Sequence, residues 1–177
     1  MILGLVIAAS VLVFDQLTKF VMLNYVLNER PGIELTSFFN LVYAWNTGVS
    51  FSMFNDSGAT GTLLLCLTAA LIVAALLWWL YREKVRAVQI GLGMIIGGAL
   101  GNLVDRVRLG AVFDFLDFHL GVHHWPAFNV ADSFICIGAA VIILHGLFYP
   151  EKKKKIRSKS NEEDCLSDVV GRYAWRL

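Results

Sequence analysis

Two carboxylates stand beside amides at the ends of apolar runs: Asp114 in "VFDF" (112–115) and Asp132 in "FNVAD" (128–132). Upstream, Asn102, Asp105 and Arg106 are related by i+3 and i+4, which puts them on one helix face. Two carboxylates held close together cannot both ionise easily, so one keeps its proton while the other acts as base on a shared water. Such a pair can hydrolyse a peptide bond with neither metal nor covalent nucleophile. The ionised group takes a proton from the attacking water, and the protonated one donates to the scissile carbonyl and later helps the amine leave. Asn102 and Asn129 are suited to orient the aspartates, and Arg106 is a permanent cation able to hold a carboxylate or a carbonyl bidentately. Each feature also has a plain structural reading. Asn129 as N-cap with Asp132 at N3 is a favourable helix start, and Asn102, Asp105 and Arg106 could be a helix-end ion cluster.

Asp15 interrupts another apolar run, where an ionised side chain at mid-membrane costs roughly 2.5 to 3.5 kcal/mol. Lys19, at i+4, is placed to pair with it. The pair is either a self-neutralising structural element or part of the organisation of a site. Other chemistries find less support. His119 and His123 have i, i+4 spacing beside His124, but there is no HExxH and no acidic partner within the motif, and surface histidines near headgroups are the better reading. "GVSF" at 48–51 is not a nucleophile elbow, and no phosphate-cradling loop of Walker type appears. Cys66 and Cys136 fall in apolar runs and Cys165 in a basic tail, so disulfides and a cysteine zinc site are not expected. The expectation is an enzyme with no metal, no cofactor and no nucleic-acid partner.

The elements that must position these groups are membrane helices. The chain of 177 residues is 57% hydrophobic and only 16% charged, against about 25% charged in soluble domains. Its apolar blocks, near 1–25, 59–81, 88–109 and 128–149, are each long enough as helices to cross a hydrocarbon core of about 30 Å. The first lacks a basic leader and a small-residue cleavage site, and reads as a retained helix. Eleven of the fifteen Lys and Arg residues lie in two places: Arg82, Lys84 and Arg86 between the second and third spans, and eight after Pro150. The positive-inside rule makes those segments and the N-terminus cytoplasmic, with loops 26–58 and 110–127 outside. Asp114 and Asp132 then fall at one depth on the outer side, next to Asn102, Asn129 and Arg106. In the first outer loop, Pro31-Gly32 opens a turn before a β-branched and aromatic stretch, which predicts a few short strands at the membrane surface. The second is rich in Phe and Trp, as an interfacial belt would be. Together they predict a small β-rich cap over the helix ends. Gly93, Gly97 and Gly101 put small residues on one face of the third helix, permitting close approach of a neighbour. Residues 1–150 form the membrane unit, and 151–177 a basic, then mixed-charge tail suited to anionic headgroups.

The blocks "DQLTK" (15–19), "NTGVSF" (46–51), "GGALGNLVDR" (97–106), "VFDF" (112–115) and "FNVAD" (128–132), in this order, resemble the bacterial lipoprotein signal peptidases, the type II signal peptidases. The resemblance implies a four-helix inner-membrane aspartic endopeptidase with cytoplasmic termini and a periplasmic site, functional as a monomer among membrane lipids. Asp114 and Asp132 correspond to its catalytic pair. Asn102, Arg106 and Asn129 match supporting motif positions, and Asp15, Lys19, Asn46, Gly48 and Asp105 match further positions of the site or its scaffold. The implied substrate is a prolipoprotein whose cysteine bears a diacylglyceryl group, cut just before that cysteine. Against this stands a small proton- or ion-coupled transporter, since intramembrane carboxylates paired with cations also mark proton relays. A relay would spread such groups through the membrane depth, whereas here only Asp15 and Lys19 lie deeper. A purely structural protein held by the glycine face would not need two aspartates at matched depth.

Overall fold

A computed structural model describes residues 1–28, 30–48 and 58–149. The end of "NTGVSF" and the tail 151–177 lie outside the described residues. The chain runs α1 (Ile2–Val21), a π-helical turn (Met22–Val26), β1 (Gly32–Thr36), β2 (Phe39–Asn46), α2 (Gly58–Arg82), α3 (Arg86–Leu109), β3 (Val112–Leu120), β4 (His123–His124) and α4 (Val130–Phe148). Among the described residues, four helices are long and apolar enough to cross a membrane. The two loops combine into one antiparallel sheet of order β1-β2-β3-β4, the helix-plus-small-sheet fold expected from the sequence.

The bundle is organised around α3, which packs against α1, α4 and, less extensively, α2. Its glycines make this possible. A Cβ on Gly97 would stand 2.5 Å from the Ala8 carbonyl oxygen, and one on Gly93 the same distance from that of Gly4. The expected glycine face therefore lies against α1. On the α4 side, a Cβ on Gly91 would meet the Gly138 carbonyl oxygen at 2.8 Å. In lipid no hydrophobic force drives helices together, so close packing and polar contacts must do so. The helix ends at Gly110, whose φ of +79° belongs to the left-handed region and whose N–H donates to the Arg106 carbonyl at 3.0 Å. This turn releases the chain directly into β3.

The sheet brings the two loops together at one end of the bundle. Asn46 opposes Val112 and Ala44 opposes Asp114, while an irregularity between Leu41 and Ala44 places one extra residue in β2. Phe113 and Phe115 alternate with Asp114 and pack with Leu27 and Leu41 in a satellite core beneath the cap. The start of α4 is tied to this strand: the Phe128 carbonyl accepts from the N–H groups of Phe115 and Leu116 at 3.1 and 2.9 Å, and the Phe128 N–H donates back to Leu116 at 3.0 Å. That tether puts Asn129 and Asp132 beside Asp114.

Candidate functional site

Asn129 begins α4 as a complete capping box. Its side-chain oxygen accepts from the Asp132 N–H, and the Asp132 carboxylate accepts from the Asn129 N–H, both at 3.1 Å. The plain structural reading of "FNVAD" is therefore realised, but it does not use up the residues. The amide nitrogen of Asn129 still donates to Asp114 Oδ1 at 2.7 Å and to Asn102 Oδ1 at 3.1 Å. Asn102 Nδ2 in turn donates to Asp132 Oδ1 at 2.8 Å. Asn46 Nδ2, from β2, holds the other Asp114 oxygen at 3.1 Å. Two asparagines thus link the aspartates, and a third fixes Asp114 from the sheet.

Asp114 is almost wholly buried. Burial, and then the nearby Asp132 charge, push its carboxyl up to about 6, against the opposing pull of the Asn46 and Asn129 hydrogen bonds and the Lys19 charge. Both aspartates line one cavity of about 590 Å³ with Asn46, Gly48, Asn102 and Arg106. The remaining wall is largely apolar, from Trp125 to Phe128 in the loop and Ile135 and Cys136 on α4. Arg106 aims at carbonyls: it donates to those of Asn102 and Gly48, each at 3.4 Å.

Behind the cavity lies a second polar layer. Lys19 pairs with Asp15 at 2.9 Å and with Asp105 at 2.7 Å, and donates to Asn102 Oδ1 at 3.0 Å. Asp15 also accepts from the Ala131 N–H at 2.9 Å, satisfying a donor in the first turn of α4. Gly101 makes room for this carboxylate, since a Cβ there would stand 2.5 Å from Asp15 Oδ2. The pairing of Asp15 with Lys19 is as the spacing indicated. Asp105 departs from the shared-face reading: Asn102 and Arg106 reach the cavity, but Asp105 turns to α1, where Gln16 Nε2 also donates to it at 2.8 Å. A helical face spanning i, i+3 and i+4 is wide enough to serve two neighbours.

Sequence reasoning missed Gln16, which also reaches the Gly101 carbonyl at 3.3 Å. It missed Ser133 and Cys136 as cavity residues. Their spacing of three, next to Asp132, was the available signal. His119 and His124 form a separate cluster at the far end of the sheet, where His124 pairs with Asp117 at 2.8 Å and stacks on His119. Asp117, buried there, also accepts from Asn40 at 3.0 Å.

A bundle of membrane-length helices with a polar, carboxylate-bearing cavity under a small sheet defines the class of a membrane-embedded enzyme. The protein is similar in structure to a bacterial membrane enzyme determined by the in meso method at 2.3 Å resolution, with a TM-score of 0.72 and 29% identity over 86% of this chain and 92% of that one. A second in meso structure of a bacterial membrane enzyme, at 1.9 Å, gives a TM-score of 0.70 at 28% identity, covering 81% and 92%. A family profile described as signal peptidase (SPase) II matches residues 7–148. Relatives named lipoprotein signal peptidase include those of Aeromonas hydrophila subsp. hydrophila, 46% identical over 85% of this chain and 90% of its own length, and of Sphingopyxis alaskensis, 42% identical over 88% and 91%. The chain belongs to the signal peptidase II family and is a peptidase. A small ion-coupled transporter is not favoured.

Proposed function

We propose that the protein is an aspartic endopeptidase that removes the signal peptide from diacylglyceryl-modified prolipoproteins, cutting just before the lipidated cysteine. The observation that carries the aspartic reading is that Asp114 and Asp132, from different elements, line one cavity and are linked through Asn129 and Asn102. The peptidase assignment and the names of the relatives support the substrate.

In this reading one aspartate is ionised and the other protonated, and the attacking water sits between them. The ionised group removes its proton as the oxygen attacks the carbonyl carbon; the protonated group hydrogen-bonds the developing oxyanion and later supplies the leaving amine. Asn46, Asn102 and Asn129 orient the carboxylates, and Arg106, whose hydrogen bonds to the carbonyls of Asn102 and Gly48 are long at 3.4 Å, can turn to a substrate carbonyl. The apolar wall of Phe128, Ile135 and Cys136 suits the substrate's hydrocarbon.

The same reading places the chain in the bacterial inner membrane. Arg82, Lys84 and Arg86 mark the cytoplasmic end, and the cap and cavity face the periplasm. The exposed Phe38, Leu120, Val122 and Trp125 lie along the outer interface. A single copy suffices, since both aspartates come from one chain. Purified protein incubated with a diacylglyceryl-modified prolipoprotein tests the proposal: wild type should release the signal peptide even in the presence of strong chelators, while folded Asp114→Asn and Asp132→Asn should not. Near-normal cleavage by either variant would reject the dyad, and an intact substrate with wild type would reject the substrate class.

A further inference from the structure

We infer that Lys19 is a positioning residue of the site: acting through Asn102, it selects Asp132 as the carboxylate that stays ionised and leaves the shared proton on Asp114. The inference rests on the aspartic reading above and deepens it.

Lys19 is 3% exposed, and its ammonium has three acceptors: Asp15 Oδ2 at 2.9 Å, Asp105 Oδ2 at 2.7 Å and Asn102 Oδ1 at 3.0 Å. An ammonium can only donate, so the Asn102 atom facing it must be the carbonyl oxygen. That choice fixes the amide's rotation and sends Nδ2 to Asp132 Oδ1 at 2.8 Å. The Asn129 amide agrees, because its Nδ2 donates to the same Asn102 oxygen at 3.1 Å. A flipped Asn102 would turn its NH₂ toward an ammonium and its oxygen toward a carboxylate, two repulsive contacts in place of two hydrogen bonds.

Donors aimed at a carboxylate favour its charged form. Asp132 receives the Asn102 amide on one oxygen and the Asn129 backbone N–H on the other, and lies in the first turn of α4, where the helix dipole favours negative charge. Asp114 also receives two amide donors, from Asn46 and Asn129. It stands on a strand beside the start of α4 and not within its first turn, and is 3% exposed where Asp132 is only half-buried, so its ionisation carries the larger desolvation cost. Its upward shift, caused by burial and then by the Asp132 charge, agrees with that assignment; the Lys19 charge itself pulls Asp114 the other way, so the selection runs through the Asn102 hydrogen bond to Asp132 and not through direct attraction.

Among the described residues, the charged groups facing Lys19 or its partner Asn102 are Asp15 on its own helix, Asp105 and Arg106 on α3, Asp132 on α4 and Asp114 on β3. One ammonium is shared between the carboxylates of Asp15 and Asp105, so removing either the ammonium or the Asp105 charge should move the dyad, in opposite directions.

The test is the pH dependence of kcat/KM for full-length protein in detergent, acting on a diacylglyceryl-modified prolipoprotein. Lys19→Gln should lower kcat about tenfold with little change in KM and shift the acidic limb about one pH unit to the alkaline side. Lys19→Arg should restore the limb, and Asp105→Asn should move it to the acid side. A purely structural role would lower activity evenly across pH with the limb in place, and that result would overturn the inference. Should Lys19→Gln fail to fold, Asp105→Asn decides alone, because it relieves one of two carboxylates competing for one ammonium; an unmoved or alkaline-shifted limb would reject the idea. The Asp114→Asn and Asp132→Asn variants separate the two readings. Activity in either sinks the dyad and the inference with it, whereas two dead variants with an unmoved limb reject the role of Lys19 alone.

Discussion

The second and third helices are nearly equal in length, at 25 and 24 residues, yet they are built on opposite rules. α2 is the more apolar, and its Leu63, Leu64, Leu67, Leu71 and Ile72 are exposed. α3 is less apolar and far more buried, with Gln89, Asn102 and Asp105 among its buried residues and glycines at its closest approaches. In a water-soluble protein the more apolar helix would lie inside. Here lipid is as apolar as leucine, so burial gains little from hydrophobicity and is driven by close packing and by satisfying polar groups. The polar residues therefore mark the interior of the bundle, where the proposed dyad lies.

The most severe way to break that contrast is at the aspartates themselves. Asp114→Asn or Asp132→Asn should cost about a thousandfold or more in kcat, measured by release of the signal peptide from protein shown to be folded. Next comes packing. Gly97→Leu would drive a side chain into the Ala8 backbone, and unfolding in detergent with increasing SDS should show a loss of about 3 kcal/mol. If Gly97→Leu proved as stable as wild type, the close seam between α1 and α3 would not hold the bundle.

The Asp114 carboxyl sharpens the same contrast through pH. Its folded value of about 6 lies above the ordinary value of 3.8, so the folded state binds this proton more tightly than the unfolded chain does. Its contribution to stability is complete below about pH 4 and is lost as pH rises through 6, a change of about 2 to 3 kcal/mol. Unfolding followed across that window should show the decline, and Asp114→Asn should flatten it. The cavity thus holds a carboxyl whose ionisation near neutral pH weakens the fold.

A smaller loss, about 1 to 2 kcal/mol, is expected from Asn129→Ala, which removes the N-cap oxygen of α4 together with the donor to Asp114. Asn129→Asp keeps the cap but places another carboxylate against Asp114, so it should retain more stability than activity. The smallest effect belongs to α2. Leu71→Ala, at a side chain 72% exposed, should change stability by less than about 0.5 kcal/mol in the same unfolding assay. A large loss there would mean that α2 packs against more than lipid and α3.

Much of this arrangement was legible in the residues. Runs of some twenty apolar residues could only be helices in a bilayer, since every backbone donor must be satisfied within the span. The capping box of α4 needed only the spacing of Asn129 and Asp132, and the pairing of Asp15 with Lys19 only one helical turn. Asp105 marks where such reading stopped. Spacing put it with Asn102 and Arg106, but whether it faced the cavity or Lys19 depended on where α1 lay. The same holds for Gln16, Ser133 and Cys136, whose significance comes from partners distant in the chain.

What the sequence by itself determined was the set of membrane helices, the turn chemistry at their ends and the kinds of groups gathered toward one side, because periodicity, capping and hydropathy act over a few neighbouring residues. Only the tertiary structure decided how those groups divide into a cavity layer and a buried layer behind it. The Phe128 tether, the irregularity in β2 and the glycine seams of α3 set distances between segments up to 116 residues apart. Hydrogen bonds require donor and acceptor within about 3 Å, and no local pattern specifies that separation between distant parts of a chain.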